Sequence, residues 1–230
     1  MTEQIIPDYL SYATENHASD IFIIAGRPLS VKIDGKMSIF GERLMPDDTA
    51  QLIRQIYEMA NHRNMETFLQ KGDDDFSFSI PGLSRFRVNT YRQRGSLAAV
   101  IRVIAFELPN PEVLHIPDEV MSVADFSKGM VLVTGPAGSG KSTTMACIVD
   151  RINHSREGHI ITLEDPLEFL HRHNKSIVSQ REIHVDTDSY VAALRAALRQ
   201  SPDVILLGEM RDYETINVAM TAAQPGHILL

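Results

Sequence analysis

Residues 135–142 read Gly-Pro-Ala-Gly-Ser-Gly-Lys-Ser and fit the pattern G-x-x-x-x-G-K-[ST] at every position. This segment constrains the fold more than any other, because the pattern works only between a strand and a helix. Both flanks are present. Met130-Val131-Leu132-Val133-Thr134 is an apolar run that predicts a strand, and Met145, Ile148, Val149 and Ile152 recur at helical spacing. Gly135, Gly138 and Gly140 let successive backbone N–H groups curl around an anion, and the helix N-terminus adds partial positive charge there. Pro136, Ala137 and Ser139 complete the loop. Lys141 is expected to reach the β- and γ-phosphates of a nucleotide, Ser142 to ligate Mg²⁺, and Thr143 to cap the helix or touch phosphate. ATP with Mg²⁺ is the expected ligand.

Beyond this loop, short apolar runs at His159–Leu163, Val204–Gly208 and His227–Leu230 alternate with helical patterns. Such alternation predicts a parallel sheet in an α/β fold. The last of these strands has barely begun when the sequence stops at Leu230, so the chain reads as a piece of a longer protein.

The first hundred residues follow another rhythm. Ile5, Ile6, Tyr9, Leu10 and Ala13 suggest a short opening helix, Ile21 to Ala25 a strand, and Val31 to Phe40 a hairpin turning at Asp34-Gly35. A helix follows Pro46-Asp47-Asp48. From Asp73 the period is two: Phe76, Phe78 and Ile80 alternate with polar residues, Pro81-Gly82 turns the chain, and Phe86 and Val88 alternate again before a strand at Leu97 to Ala105. This is a small α+β unit with an antiparallel sheet. Pro109, Pro111 and Pro117 then fall within a dozen residues, a stiff stretch expected to join neither core. The expected organisation is an N-terminal domain over 1–106, a linker over 107–118 and an α/β core over 119–230.

Composition excludes several classes. The 230 residues contain one cysteine, Cys147, so no internal disulfide is possible, and a reducing cytoplasm is the natural compartment. No window reaches the ~18 apolar residues of a membrane span, so any membrane association runs through a partner. The formal charge of −8 disfavours generic binding of nucleic acid.

Hydrolysis needs carboxylates as well as a phosphate loop. Two candidate positions lie just past predicted parallel strands: Glu164-Asp165, where Pro166 ends the strand, and Glu209, after Val204-Ile205-Leu206-Leu207-Gly208. An apolar run ending in an acid is the Walker B pattern. Glu168 and Asp203 read rather as structural or turn residues.

These segments together resemble a known family. Gly135–Thr143, Ile160-Ile161-Thr162-Leu163-Glu164-Asp165-Pro166-Leu167-Glu168 and Ser201-Pro202-Asp203 through Glu209-Met210-Arg211-Asp212 are similar to the Walker A, Asp-box and Walker B motifs of secretion-superfamily ATPases. Thr221-Ala222-Ala223-Gln224-Pro225-Gly226-His227 is similar to their His box, with Gln224-Pro225 where Glu-Thr is usual. Ser84-Arg85-Phe86-Arg87-Val88-Asn89, Gln180-Arg181-Glu182 and Asp186-Thr187-Asp188-Ser189-Tyr190 resemble most the family of type IV pilus retraction ATPases.

The resemblance implies a PAS-like N-terminal domain, a RecA-like P-loop NTPase core and assembly as a homo-hexamer. It further implies an ATPase in the cytoplasm, peripheral to the inner membrane through a pilus or secretion platform protein. It gives Glu164 the role of general base, Glu209 that of supporting Mg²⁺ through water, and His227 that of sensing the γ-phosphate. Arg102, which interrupts the apolar row of Val100 and Ile104, and to a lesser degree Arg85 and Arg87, are arginine-finger candidates; the plain alternative is a solvated strand face. Pilus assembly or type II/IV secretion is the nearest alternative activity. A nucleotide-gated module without turnover and a DNA-translocating motor are the rivals from other classes.

Overall fold

The computed structural model describes residues 6–104, 106, 108–223 and 226–230. Ile5 of the opening helix, Ala105 at the end of a predicted strand, Glu107 of the linker and Gln224-Pro225 of the His-box segment lie outside the described residues. The chain divides into two compact units, Met1–Ala105 and Phe106–Leu230.

The first unit is one antiparallel sheet with three helices. Its strands are β1 (Asp20–Ile23), β2 (Pro28–Ile33), β3 (Lys36–Arg43), β4 (Asp73–Ile80), β5 (Ser84–Gln93) and β6 (Ser96–Ile104). They lie in the order β3-β2-β1-β6-β5-β4. Helix α1 (Ile6–Glu15) buries Ile6, Tyr9, Leu10 and Ala13, one helical stripe. Helix α2 (Pro46–Met59) starts at a proline, whose missing N–H costs nothing in a first turn, and the Asp48 carboxylate accepts from Met45 N at 2.7 Å. Helix α3 (Glu66–Lys71) ends on Gly72. The helices and the inward residues of the strands, Phe76, Phe78, Phe86 and Val88 among them, form one core.

The second unit is a parallel sheet of five strands: β7 (Gly129–Met130), β8 (His159–Glu164), β9 (Ile177–Glu182), β10 (Val204–Leu207) and β11 (Ile228–Leu229), ordered β7-β11-β10-β8-β9. Its helices are α4 (Asp118–Met121), running into a 3₁₀ turn over Ser122–Asp125, then α5 (Lys141–Ser155), α6 (Tyr190–Ala197) and α7 (Tyr213–Ala222). Alternate strand residues feed two cores. Ile160, Val204 and Leu206 pack with α5 and the α4 segment, while Ile161, Leu163, Ile205 and Leu207 pack with α6 and α7. Burial on both faces explains why these strands read as unbroken apolar runs.

The structure differs from expectation at three places. The strand predicted over Met130–Thr134 is regular only at Gly129–Met130, because its neighbour β11 pairs over Ile228–Leu229 alone. Leu132 is consequently 61% exposed. Strand β9, Ile-Val-Ser-Gln-Arg-Glu, was not anticipated: it lies at the sheet edge, where half its side chains need not be apolar. The proline-rich stretch does join a core, since Ile116 packs against the second unit and the Cys147 thiol donates to the Pro109 carbonyl at 3.3 Å.

Candidate functional site

The parallel sheet sets the site. All five strands point the same way, so the segments leaving β7, β8 and β10 emerge at one edge. Leu163 pairs with Leu207, and Gly208 N donates to Leu163 O at 2.8 Å. This bond fixes Glu164, the last residue of β8, beside Gly208-Glu209. A cavity of about 1010 Å³ opens there, lined by Ala137, Gly138, Lys141 and Ser142 of the loop and by Glu164, Asp165 and Glu209.

Gly140 stands before the first turn of α5 at φ 89°, a left-handed conformation that favours glycine. It places Lys141 and Ser142 at the helix start. A Cβ at Gly135 would lie 2.6 Å from Ser139 Oγ, so the loop closes on itself as a cradle with no room for a side chain. Lys141 Nζ folds back onto the loop, donating to the carbonyls of Gly135 at 3.0 Å and Pro136 at 2.9 Å. An ammonium held by neutral carbonyls at the N-terminus of a helix is suited to an anion. Ser142 and the carboxylates supply hard oxygen donors of the kind Mg²⁺ takes. Gly135, Pro136, Ser139, Gly140 and Thr143 belong to the loop without lining the cavity.

The two carboxylates differ. Burial pushes Glu164 up to about 7, opposed by hydrogen bonding that includes the Gln180 amide at 3.5 Å. Glu209 is instead paired with Arg211 at 2.8 Å. One carboxyl is therefore poised near neutrality and its neighbour is held by a cation, which suits proton transfer at the first and charge support at the second. Asp165 lies within 4.0 Å of His184. Glu168 lines the cavity, while Asp203 is structural, its carboxylate accepting from His159 N at 2.7 Å.

Two other expected residues, His227 and Arg102, belong to other elements. His227 does not line the cavity: it precedes β11 at the opposite edge of the sheet, where its carbonyl accepts from Gly129 N at 3.2 Å. Burial holds its imidazole below the ordinary range. A parallel strand carries the site at its C-terminal end, and His227 stands before the N-terminal end of β11. Arg102 belongs to the first unit, where Nε donates to Asp20 Oδ1 at 3.2 Å and the side chain is 69% exposed. Its register neighbour Arg87 pairs with Asp75 at 3.0 Å.

Tyr190 and Gln180 were quoted in the sequence only as parts of motifs. The ring of Tyr190 opens α6, whose apolar face docks on the sheet, and it lines the cavity. The Ser189 hydroxyl accepting from Ala192 N at 3.2 Å marks the helix start, which could have directed attention to Tyr190 as a residue facing the strand ends.

A glycine-rich loop between strand and helix, with carboxylates at the ends of two neighbouring parallel strands, defines an α/β protein built to hold phosphates. The family model for the type II/IV secretion system protein matches residues 1–230, and the chain belongs to that family. The chain is 42% identical over 224 residues to the type IV pilus retraction ATPase PilT of Pseudomonas aeruginosa, covering 97% of this chain and 64% of that protein. It is 44% identical over 186 residues to a twitching motility protein of Neisseria gonorrhoeae, covering 80% of this chain and 50% of that one. Among solved structures, the pilus retraction motor PilT with bound ADP superposes with a TM-score of 0.85 at 45% identity, covering 98% of this chain and 66% of that chain. The chain thus spans about two thirds or less of these relatives' length.

Proposed function

We propose that this chain is the nucleotide-binding part of an ATP-hydrolysing motor that powers type IV pilus retraction. The observation that carries the reading is the position of Glu164: a buried carboxyl at the end of β8, titrating near neutrality, in one cavity with Lys141 and Ser142. The likeness to PilT and to a twitching motility protein supports retraction over assembly or secretion.

In this reading the loop N–H groups and Lys141 bind the phosphates of ATP, and Glu164 takes a proton from the attacking water. Ser142, and Glu209 through water, would hold Mg²⁺, which offsets the phosphate charge. Arg102 would neutralise charge developing in the transition state. We read the first unit as PAS-like, from its single antiparallel sheet with helices packed on it, and the second as RecA-like, from its parallel sheet with helices on both faces and the phosphate loop after its first strand. The working protein would be a homo-hexamer in the cytoplasm, docked on an inner-membrane platform protein. Among the described residues no helix is long and apolar enough to cross a membrane.

The test is Mg²⁺-dependent ATP hydrolysis by the full-length protein across a range of concentrations, with Glu164→Gln alongside. Turnover that rises more than proportionally with concentration and collapses in the variant supports a ring motor. Tight ATP binding without turnover leaves a nucleotide-gated switch. In cells, loss of turnover should leave pili extended and motility abolished; bare cells would indicate assembly instead.

A further inference from the structure

One side chain away from the phosphate loop reaches both Glu164 and the loop that follows it. Residues 165–173 have no helix or strand of their own, yet Asp165, Glu168, Phe169 and His171 help to line the cavity. Gln180 of β9 ties that loop down. Its Oε1 accepts from His171 N at 2.7 Å, and its Nε2 donates to Phe169 O at 2.9 Å. The amide cannot be turned round, because a backbone N–H only donates and a carbonyl only accepts. Nε2 therefore faces Glu164, with its second hydrogen left for Oε1 of that carboxyl, 3.5 Å away. The strand register explains the placement. Gln180 pairs with Thr162 and Glu182 with Glu164, so Gln180 and Glu164 are diagonal neighbours on one face of the sheet.

An amide N–H beside a carboxyl favours its ionised form. Here the donor cannot come closer without giving up Phe169 O, so burial stays dominant and Glu164 keeps its proton up to about 7. We propose that Gln180 is a positioning residue for hydrolysis, its one amide fixing the loop at Phe169 and His171 and aiming the Glu164 carboxylate into the cavity where the phosphates bind. The inference rests on the hydrolysis reading above and adds a residue that acts through the base. Gln180 exchanges no proton. In the step, Glu164 takes a proton from water as the water oxygen bonds to the γ-phosphorus, and the bond to the β–γ bridging oxygen breaks with its electron pair leaving on ADP. A base held in one direction loses little time in unproductive orientations, and a base left to swing forfeits that advantage. Other ionisable groups surround Glu164: Asp165, Glu168 and His171 of its own loop, Glu182 in register on β9, Glu209 beyond β10, Tyr190 of α6 and Lys141 at the start of α5. Burial keeps the His171 imidazole neutral, its proton lost near 4. All of them are common to parent and variant, so a displaced acid limb reports on position 180.

The experiment is Gln180→Met and Gln180→Glu in the full-length protein, measuring kcat and kcat/KM for ATP between pH 5 and 9, affinity for a fluorescent ADP, and thermal unfolding. Methionine keeps the length of the side chain and removes the amide. We expect kcat on the alkaline plateau to fall about fivefold or more, with ADP affinity within about twofold of the parent. The acid limb of kcat/KM should move to higher pH, by about half a unit, because a donor to the ionised base is gone. Glutamate keeps the shape and the acceptor for His171 N but sets a like charge beside Glu164, so the limb should move up by about one unit or more. This second variant decides the matter if the first does not fold. In a Glu164→Gln background, Gln180→Met should lower the residual turnover no more than about twofold, since the base it would aim is absent. An acid limb that stays in place in the folded variants, an ADP affinity that falls in step with kcat, or an equal loss in both backgrounds overturns the inference while leaving the hydrolysis reading intact. A parent protein that binds ATP without hydrolysing it overturns both.

Discussion

The side-chain amide of Gln180 stands 3.5 Å from Glu164 Oε1 but donates at 2.9 Å to the carbonyl of Phe169. Its better bond goes to backbone, so Glu164 is left with weak support for a negative charge in a buried setting. That balance is why burial dominates and the carboxyl titrates near 7. The stability consequence has a definite sign. In the unfolded chain a glutamate loses its proton near 4.5, whereas in the fold Glu164 keeps it up to about 7. The folded state holds more protons over that window, so stability declines as pH rises from about 4.5 through 7 and is level above it. The whole effect is on the order of 3 kcal/mol. Glu164→Gln should match the parent at pH 4.5 and exceed it by up to that amount at pH 8. Urea unfolding of both proteins at several pH values measures this; a difference independent of pH would refute it.

Activity should run the other way. The base works only when ionised, so kcat/KM for ATP is expected to fall about tenfold per pH unit well below 7, far above where an ordinary glutamate would give its acid limb. A pH–rate profile reads the limb directly. A flat profile down to pH 5 would mean that Glu164 ionises normally or is not the base.

Lys141 is the test of the loop. Its ammonium now donates to Gly135 O and Pro136 O, neutral acceptors that a phosphate would outcompete. Lys141→Ala should weaken nucleotide binding by about 10- to 100-fold, the effect of one or two charge-assisted bonds. It should hardly alter thermal unfolding, because those bonds are exposed. Calorimetric titration with ADP gives the answer, and undiminished affinity would remove the lysine from the site.

How far the sequence foretold this arrangement depended on the kind of signal. The loop was legible because three glycines, a lysine and a serine at fixed spacing have few other uses. Strands β8 and β10 were legible because both their faces are buried, and Glu164 and Glu209 followed from standing at their ends. Strand β9 was hidden by its edge position, where Ser179, Gln180 and Arg181 carry no periodic apolar signal. Motif order along the chain says nothing about which end of a parallel strand His227 occupies; that it precedes β11 is legible only in the structure. Tyr190 was only partly legible: the Ser189 cap marks the helix start, but a tyrosine there reads as core, and its oxygen, shielded above Gly208 and without a partner among the described residues, is seen only in the structure.

The lower edge of the same sheet offers a test independent of nucleotide. A Cβ at Gly158 would lie 2.9 Å from Asp203 Oδ2 and 3.2 Å from its Cγ. Asp203 cannot readily yield. Its carboxylate accepts from His159 N at 2.7 Å, its own N–H donates to His159 O at 2.9 Å, and its carbonyl accepts from Ile228 N at 3.1 Å. Gly158 is pinned as well, its carbonyl accepting from Ile177 N at 2.8 Å. Gly158→Ala should therefore cost about 1–2 kcal/mol, with the aspartate pushed off its backbone donor. Asp203→Ala alone removes the same bond and should cost about 1 kcal/mol. The double variant separates clash from lost hydrogen bond: with the carboxylate gone, the added methyl keeps only the 3.3 Å approach to the residue 203 Cβ, and Gly158→Ala should then cost clearly less than in the parent. Unfolding measurements on the four proteins close the cycle. Strictly additive costs would show that the glycine answers to something other than Asp203.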